Sequence, residues 1–264
     1  MREPGLDEAI RAAGGVSALA RRLGVAQPSV SNWERVPVER VASVEAATGI
    51  DRTRLRPDLF AERATMDEAI DEIDAARARE YALLAVLLAR APDRNLLARL
   101  AGLKVDASPL GLAHATLAAA AGGTDVTRVE REFFDLFIGI GRGELQPYGS
   151  YYLTGFLHER PLARLRGDLA DLGVVRAEGQ SEPEDHIAML CEVMAGLADG
   201  RFAPPSGADR RAFEQRFFDK HLAPWARRFF VDLEQAEAAG FYRGVGAVGR
   251  AFIEIETEAF ALPS

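Results

Sequence analysis

Apolar side chains return every three or four positions through almost the whole chain, the period of helices that bury one face. Near the start Leu6 and Ile10, then Val16, Leu19, Ala20 and Leu23, keep this spacing until Gly24 allows a tight turn. A second short helix follows, with Pro28 in its first turn, where a missing N–H costs nothing, and with Val30 and Trp33 pointing inward. From Ala64 onward the helical period continues with almost no alternating β-branched runs. It breaks at Ala91-Pro92, Gly122-Gly123, Gly139 to Gly149, Gly173 to Gln180, Pro204 to Gly207 and Gly240. This predicts eight or nine helices in that part and an all-α protein. The expected organisation is a small helical domain over 1–62 and a larger all-helical domain over 63–264, with Arg63 to Asp74 as a charged helical joint.

The second short helix carries Gln27, Ser29, Ser31 and Asn32 near its exposed N-terminal side. Polar side chains there suit base-edge reading in a major groove, and Arg21, Arg22 and Arg35 are placed to hold phosphates. The arrangement is a helix-turn-helix. Residues 1 to 63 hold ten Arg against nine Asp or Glu, a net charge near +1 and a small electrostatic footprint for a DNA binder. Two uses stay open: DNA reading, with homodimer formation doubling the footprint, or a retained fold that serves docking or dimerisation. The segment ALARRLGVAQPSVSNWERVPVERVASVEAATGIDRTRLRPDLF resembles the YdaS or Cro-like helix-turn-helix family over almost all of residues 6 to 60.

Charge separates the two parts. The chain of 264 residues carries a formal −8, so the 201 residues after position 63 hold about −9 and favour a basic partner over a polyanion. A single cysteine excludes an intramolecular disulfide and points to the reducing cytoplasm. The longest apolar run, Tyr81 to Ala89, is far shorter than the roughly 20 residues that span a bilayer, so no membrane segment is expected. Arg21-Arg22 is followed by GVAQPSVSNWER and not by an apolar stretch, which excludes an export address.

Candidate chemistry concentrates at SEPEDHIAMLCEVMAGL, Ser181 to Leu197. Ser181 and Glu184 have capping-box spacing, Pro183 fits a first turn, and Glu182, Glu184 and Asp185 would put negative charge at the positive end of a helix. Ile187, Leu190, Cys191, Met194 and Leu197 would form its core face, about 140° around the helix from His186. Cysteine–histidine catalysis and a shared metal are therefore not expected. HExxH, CxxC and GxSxG are absent from the chain, so neither an enzyme nor a bound cofactor is predicted. GVGAVG, Gly244 to Gly249, has dinucleotide-fingerprint spacing but no strand before it, so close helix packing is the reading; GIGRG, Gly139 to Gly143, reads as a flexible loop.

EPEDHI, PYGSYYLTG from Pro147 to Gly155, and FFDKHLAPWARRFF from Phe217 to Phe230 occur in this order on a helical background. Together they resemble the TorD family of redox-enzyme maturation chaperones over about residues 77 to 260. The resemblance implies a cytoplasmic, all-helical protein that binds a molybdoenzyme apoprotein or its twin-arginine signal peptide until the client's cofactor is inserted. The family pattern Y-x-S-x-Y falls on Tyr148, Ser150 and Tyr152, and E-P-x-D-H on Glu182, Pro183, Asp185 and His186. The resemblance makes these the peptide-binding residues. Tyr151 and Phe156 would complete an aromatic groove wall with Tyr148 and Tyr152, and Ser150 would bond peptide backbone. Phe217, His221, Trp225 and Phe229 read more simply as a packed helix joint. A helix-turn-helix is foreign to such chaperones. It raises the alternative of a transcription regulator whose larger domain senses client or signal peptide.

Overall fold

The computed structural model describes residues 2–174, 182–202 and 209–262, and over 61–71 the backbone alone. The chain divides into two compact units, Met1–Ile73 and Asp74–Ser264, and the division falls inside one helix. Each unit has its own hydrophobic core.

The first unit contains α1 (Pro4–Ala13), α2 (Val16–Leu23), α3 (Gln27–Ser31), a single 3-10 turn at Val38–Arg40, α4 (Val41–Thr48), α5 (Arg52–Leu55) and the start of α6 (Pro57–Ala89). Two helices thus precede Gly24. Gly14 ends α1 with φ 90° and Gly24 ends α2 with φ 66°, left-handed conformations in which each N–H turns back onto the helix it leaves. Leu6, Leu19, Val30, Val36, Val44 and Leu55 are fully buried in the core, and Trp33, just beyond α3, packs on its edge. Arg56 closes this core from below, donating to the Val36 carbonyl at 2.8 Å while pairing with Asp58.

The second unit continues α6 and adds α7 (Arg94–Ala101), α8 (Pro109–Gly122), α9 (Val126–Phe133), α10 (Gly149–Thr154), α11 (Arg160–Asp171), α12 (Ile187–Ala198), α13 (Arg210–His221), α14 (Ala226–Gln235) and α15 (Phe241–Ala261). Among the described residues it therefore has ten helices, more than the eight or nine expected. The unread breaks are the turn at 102–108, where the Ser108 hydroxyl accepts from Gly111 N–H, and the one after α10, where Gly155 takes φ 83°. All described secondary structure is helical apart from one isolated antiparallel bridge, Tyr148 with His186.

The glycine run from Gly244 is a packing device inside α15, as its lack of a preceding strand implied. A Cβ on Gly244 would lie 2.8 Å from the Leu117 Cα of α8, and one on Gly249 would lie 2.1 Å from the Phe230 ring of α14. GIGRG is a loop, and Gly139 and Gly143 have a packing role within it. They bring the turn that follows a π-helical segment, Phe134–Ile138, against its own backbone, and a Cβ on Gly143 would lie 2.6 Å from the Leu136 carbonyl oxygen. Where α6 enters this unit, Arg77 donates to Glu214 at 2.5 Å and Glu256 at 2.6 Å, and Tyr81 O–H donates to Glu256 at 2.8 Å. Burial opposes the Arg77 charge, but these carboxylates more than offset it and push its pKa up.

Candidate functional site

The EPEDH segment forms a turn, closed by His186 N–H donating to the Pro183 carbonyl at 3.1 Å, and ends in a bridge to Tyr148 instead of opening a helix at Ser181. Gly149 N–H donates to the Asp185 carbonyl at 3.0 Å and Ile187 N–H to the Pro147 carbonyl at 2.9 Å, so the two motifs lie edge to edge. This corrects the capping-box reading. α12 begins at Ile187, its N-cap is His186, and the acids before it serve other partners. Tyr148 O–H donates to Glu182, Arg166 pairs with Glu184 at 2.9 Å, and Ser150 N–H donates to Asp185 Oδ2 at 2.6 Å. Ser181 lies outside the described residues. The predicted core face of α12 is buried, and Ala188, Val193, Ala195 and Ala198 are buried with it. Cys191 sits among them, and burial pushes its thiol pKa far up, which leaves an inert side chain.

Asp185 and His186, adjacent in sequence, face different spaces. His186 borders a groove of about 580 Å³ between the second half of α6, the Phe134–Ile138 turn and α12. Ala82, Ala85, Val86 and Ala89 from α6, Phe133 and Phe137, and Ala188, Met189 and Ala195 give it an apolar floor. Tyr148 and Pro183 join His186 in its wall, and Glu182, Glu192, Arg90 and Arg201 supply its charge. Asp185 instead lines a cavity of about 70 Å³ with Arg164, Lys220, His221 and Trp225. Only 3% exposed, Asp185 caps the first turn of α10, and its Oδ1 has no hydrogen-bond partner among the described residues.

The two histidines of the motifs are set apart by their surroundings. Burial lowers the His186 pKa to about 4, against the opposing pull of Glu182 and Asp185. His221 is buried where α13 ends; burial lowers its pKa too, opposed by Asp168 at 2.5 Å. Its carbonyl accepts from Trp225 Nε1 at 2.7 Å, and Phe217, Trp225 and Phe229 are almost wholly buried, so FFDKHLAPW builds the joint between α13 and α14.

The expected aromatic wall is not one surface. Only Tyr148 borders the groove; Tyr151 and Tyr152 line a separate cleft with Arg142 and Arg228, and Phe156 is 69% exposed. Tyr152 O–H donates to Asp232 at 2.9 Å, while its ring lies against Trp225 and Phe229. Ser150 is 0% exposed, so its hydroxyl does not reach the surface to bond a peptide as the sequence suggested. A serine in the first turn of a helix packed under a carboxylate cap has no route outward. Conversely, Glu192, Met189 and the alanines of α6 border the groove although no motif marks them; for Met189 and Glu192 the signal in the sequence was the side of α12 left over after its core face.

Residues 104–231 match the family model described as nitrate reductase delta subunit, and residues 6–64 match that described as bacterial toxin YdaS. Chaperone protein TorD of Vibrio cholerae is 31% identical over 127 residues, 47% of this chain and 58% of that protein. The TorD chaperone of Vibrio atlanticus is 27% identical over 135 residues, 49% of this chain and 63% of its own length. The chain is thus similar to TorD chaperones over its middle part and to the YdaS model over its N-terminal part. A Tat proofreading chaperone, DmsD of Haemophilus influenzae, is 28% identical over 44% of this chain and 54% of its own. The solved structure of a redox enzyme maturation protein from Archaeoglobus fulgidus aligns with a TM-score of 0.45 at 18% identity, over 67% of this chain and 93% of that one. The chain spans less than two thirds of the length of each of these three sequence relatives. Both groove-forming motifs of the TorD-like unit, around Tyr148 and His186, fall within the matched residues.

In the YdaS-like module, Gln27, Ser29 and Asn32 are exposed on or beside α3 and Ser31 is partly covered. Arg21 is exposed and has no ion pair among the described residues, whereas Arg22 donates to the Ala47 carbonyl at 2.9 Å and Arg35 lies 3.7 Å from Asp58. Arg52 and Arg54 pair with Glu45 and Glu8. Much of the module's positive charge is thus engaged internally, and its outward electrostatic face is smaller than the arginine count suggests.

Proposed function

We propose that the chain is a dedicated chaperone that holds the signal peptide of a molybdoenzyme precursor in the groove along α12 before export, while the client receives its cofactor. The observation that carries this reading is a groove of about 580 Å³ with an apolar floor and with Glu182 and Glu192 on its border. A twin-arginine leader presents a basic end followed by 7–15 apolar residues, the complementary order of chemistry. The surplus of about nine negative charges beyond residue 63 draws such a leader in. The relatives named as TorD and as a Tat proofreading chaperone support the same assignment. On this reading Tyr148, Glu182, Pro183 and His186 touch the peptide, and Ser150, Tyr152 and Asp185 hold them in place. The place of action is the cytoplasm, where a leader is met before export.

The test is calorimetric titration of the full chain with a peptide carrying an arginine pair and about 12 apolar residues. Ala82→Trp, at an exposed position on the groove floor, should weaken binding at least tenfold without lowering the melting temperature. Equal affinity in that variant, or no binding by the wild type, would exclude the groove as the site.

A second reading, DNA-binding regulation with the larger unit as sensor, is favoured by the exposed polar face of α3 at Gln27, Ser29 and Asn32. Arg21→Ala should then lower affinity for all DNA sequences and reduce the salt slope by about one, while Asn32→Ala relaxes sequence preference. No binding of DNA from upstream of its own gene at low salt would leave docking or dimerisation as the module's role.

A further inference from the structure

We infer that His186 is a fixed, uncharged N–H donor, and that the segment filling the groove meets it with a free main-chain carbonyl and is therefore extended, not helical, at that point. The inference rests on the groove being the peptide site. Its basis is the N-cap of α12. His186 Nδ1 accepts from the Ala188 N–H at 3.1 Å, so the lone pair is on Nδ1 and the ring proton is on Nε2. The backbone around the ring is held from both sides: His186 N–H donates to the Pro183 carbonyl at 3.1 Å, the His186 carbonyl accepts from Leu190 N–H at 3.1 Å, and Ile187 is tied to Pro147. The Tyr148 ring stands edge-on to the imidazole at 5.1 Å between centroids. Protonating Nδ1 would set an N–H against the Ala188 N–H, and turning the ring over would put Cδ2–H there in place of an acceptor. Burial acts in the same direction on the charge, and the neighbouring acids Glu182 and Asp185 do not reverse it. The other charged groups bordering the groove are Glu192 on α12, Arg201 beyond it and Arg90 from α6.

That leaves Nε2–H. It has no partner among the described residues, is not sealed from the surface, and belongs to a residue in the groove wall. Tyr148 O–H, the neighbouring polar group, is already committed to Glu182. An occupant that covers Nε2–H with hydrocarbon strands a buried donor, so the occupant has to bring an acceptor. The apolar side chains that suit this floor have none, which leaves the main chain. Within a helix every carbonyl but the last four is consumed by the helix itself. An extended segment presents one at every second position on the facing side. Recognition at His186 therefore reads backbone and tolerates many apolar sequences, while Glu182 and Glu192 supply the preference for a basic end.

The experiment uses the full chain with 15N-labelled histidine and the same arginine-pair peptide. Long-range nitrogen–proton correlation should show His186 protonated at Nε2, bare at Nδ1, and unchanged between about pH 8 and 5.5, where an ordinary histidine titrates near 6.5. Two substitutions separate donor from cap. His186→Asn keeps a side-chain oxygen at the N-cap but removes the reach of Nε2, so peptide affinity should fall roughly 3- to 10-fold, the span of one net hydrogen bond, with little change in melting. His186→Gln restores an N–H near Nε2 and loses the cap, so it should keep affinity and melt lower. Carbonyl shifts of a 13C-labelled bound peptide should report extended backbone opposite α12. A titrating ring, an Nδ1–H tautomer, unchanged affinity in His186→Asn, or helical peptide shifts would each overturn the inference while peptide binding itself stands. Absence of binding by the wild type would overturn the groove reading and its occupant together, with the tautomer still decided by the nitrogen spectrum.

Discussion

Replacing Asp185 with Ala distinguishes a supporting residue from a recognising one. In the structure its Oδ2 accepts from Ser150 N–H at 2.6 Å, with both residues essentially sealed from solvent at 3% and 0% exposure. The substitution removes a charge-assisted bond and strands a buried donor at the start of α10, a cost of about 1.5–3 kcal/mol. For a unit of this size each kcal/mol moves the melting temperature by about 2–4 °C, so a drop of about 3–12 °C is expected by circular dichroism. Asp185→Asn, which can keep an acceptor toward Ser150, should fall well short of that. Peptide affinity, measured well below the transition on the folded variants, should change less than about twofold, because Asp185 faces the small cavity bordered by Arg164 and Lys220 and not the groove. An Asp185→Ala protein that melts within about a degree of wild type but has lost peptide binding would refute this placement and return Asp185 to direct recognition.

Three further outcomes follow from the same structure. Arg77→Met takes from Glu256, 0% exposed, its cation and from Glu214, 1% exposed, the nearer of two, leaving Arg211 at 3.9 Å, and should cost about 3–5 kcal/mol in urea unfolding; a cost under about 1 kcal/mol would show that water replaces the guanidinium. Gly249→Ala puts a methyl group into the Phe230 ring and should destabilise by about 1–3 kcal/mol, and a neutral result would mean that α14 and α15 separate without penalty. For His186 the folded pKa of about 4 lies below the ordinary 6.5, so the unfolded chain binds the extra proton and stability declines as pH falls from 6.5 toward 4, by about 3 kcal/mol. His186→Asn should remove that part of the pH slope, read by chemical denaturation at several pH values, and equal slopes in both proteins would place an ordinary, solvated imidazole at this position.

The all-helical class, the buried face of α12 and the packing role of Gly244 to Gly249 were legible because each rests on a period or spacing within one segment: Ile187, Leu190, Cys191, Met194 and Leu197 fall on one helical face whatever surrounds them. The start of α12 was not legible. Ser181-Glu182-Pro183-Glu184 satisfies the local rules for a helix N-terminus, and what defeats those rules is a partner more than thirty residues away, the Pro147–Gly149 backbone, which takes the Asp185 carbonyl and the Ile187 N–H into an antiparallel bridge. The same long-range pairing hides the separation of function within the motif. Asp185 lies in the turn that His186 N–H closes onto Pro183 and points toward α10 and the small cavity, while His186, in the bridge, points toward the groove. A motif read as a contiguous recognition string is thus divided, where a turn meets an isolated bridge, into one residue that braces the wall and one that stands in it. The groove's opposite side is illegible for a related reason: Ala82, Ala85 and Ala89 look like any small residues on a helix, and only the placement of α6 across from α12 turns their lack of bulk into room for a partner. Chemistry that depends on what a residue touches was therefore recoverable only where the partner is a neighbour in sequence, and the residues proposed to bind peptide are those whose partners are not.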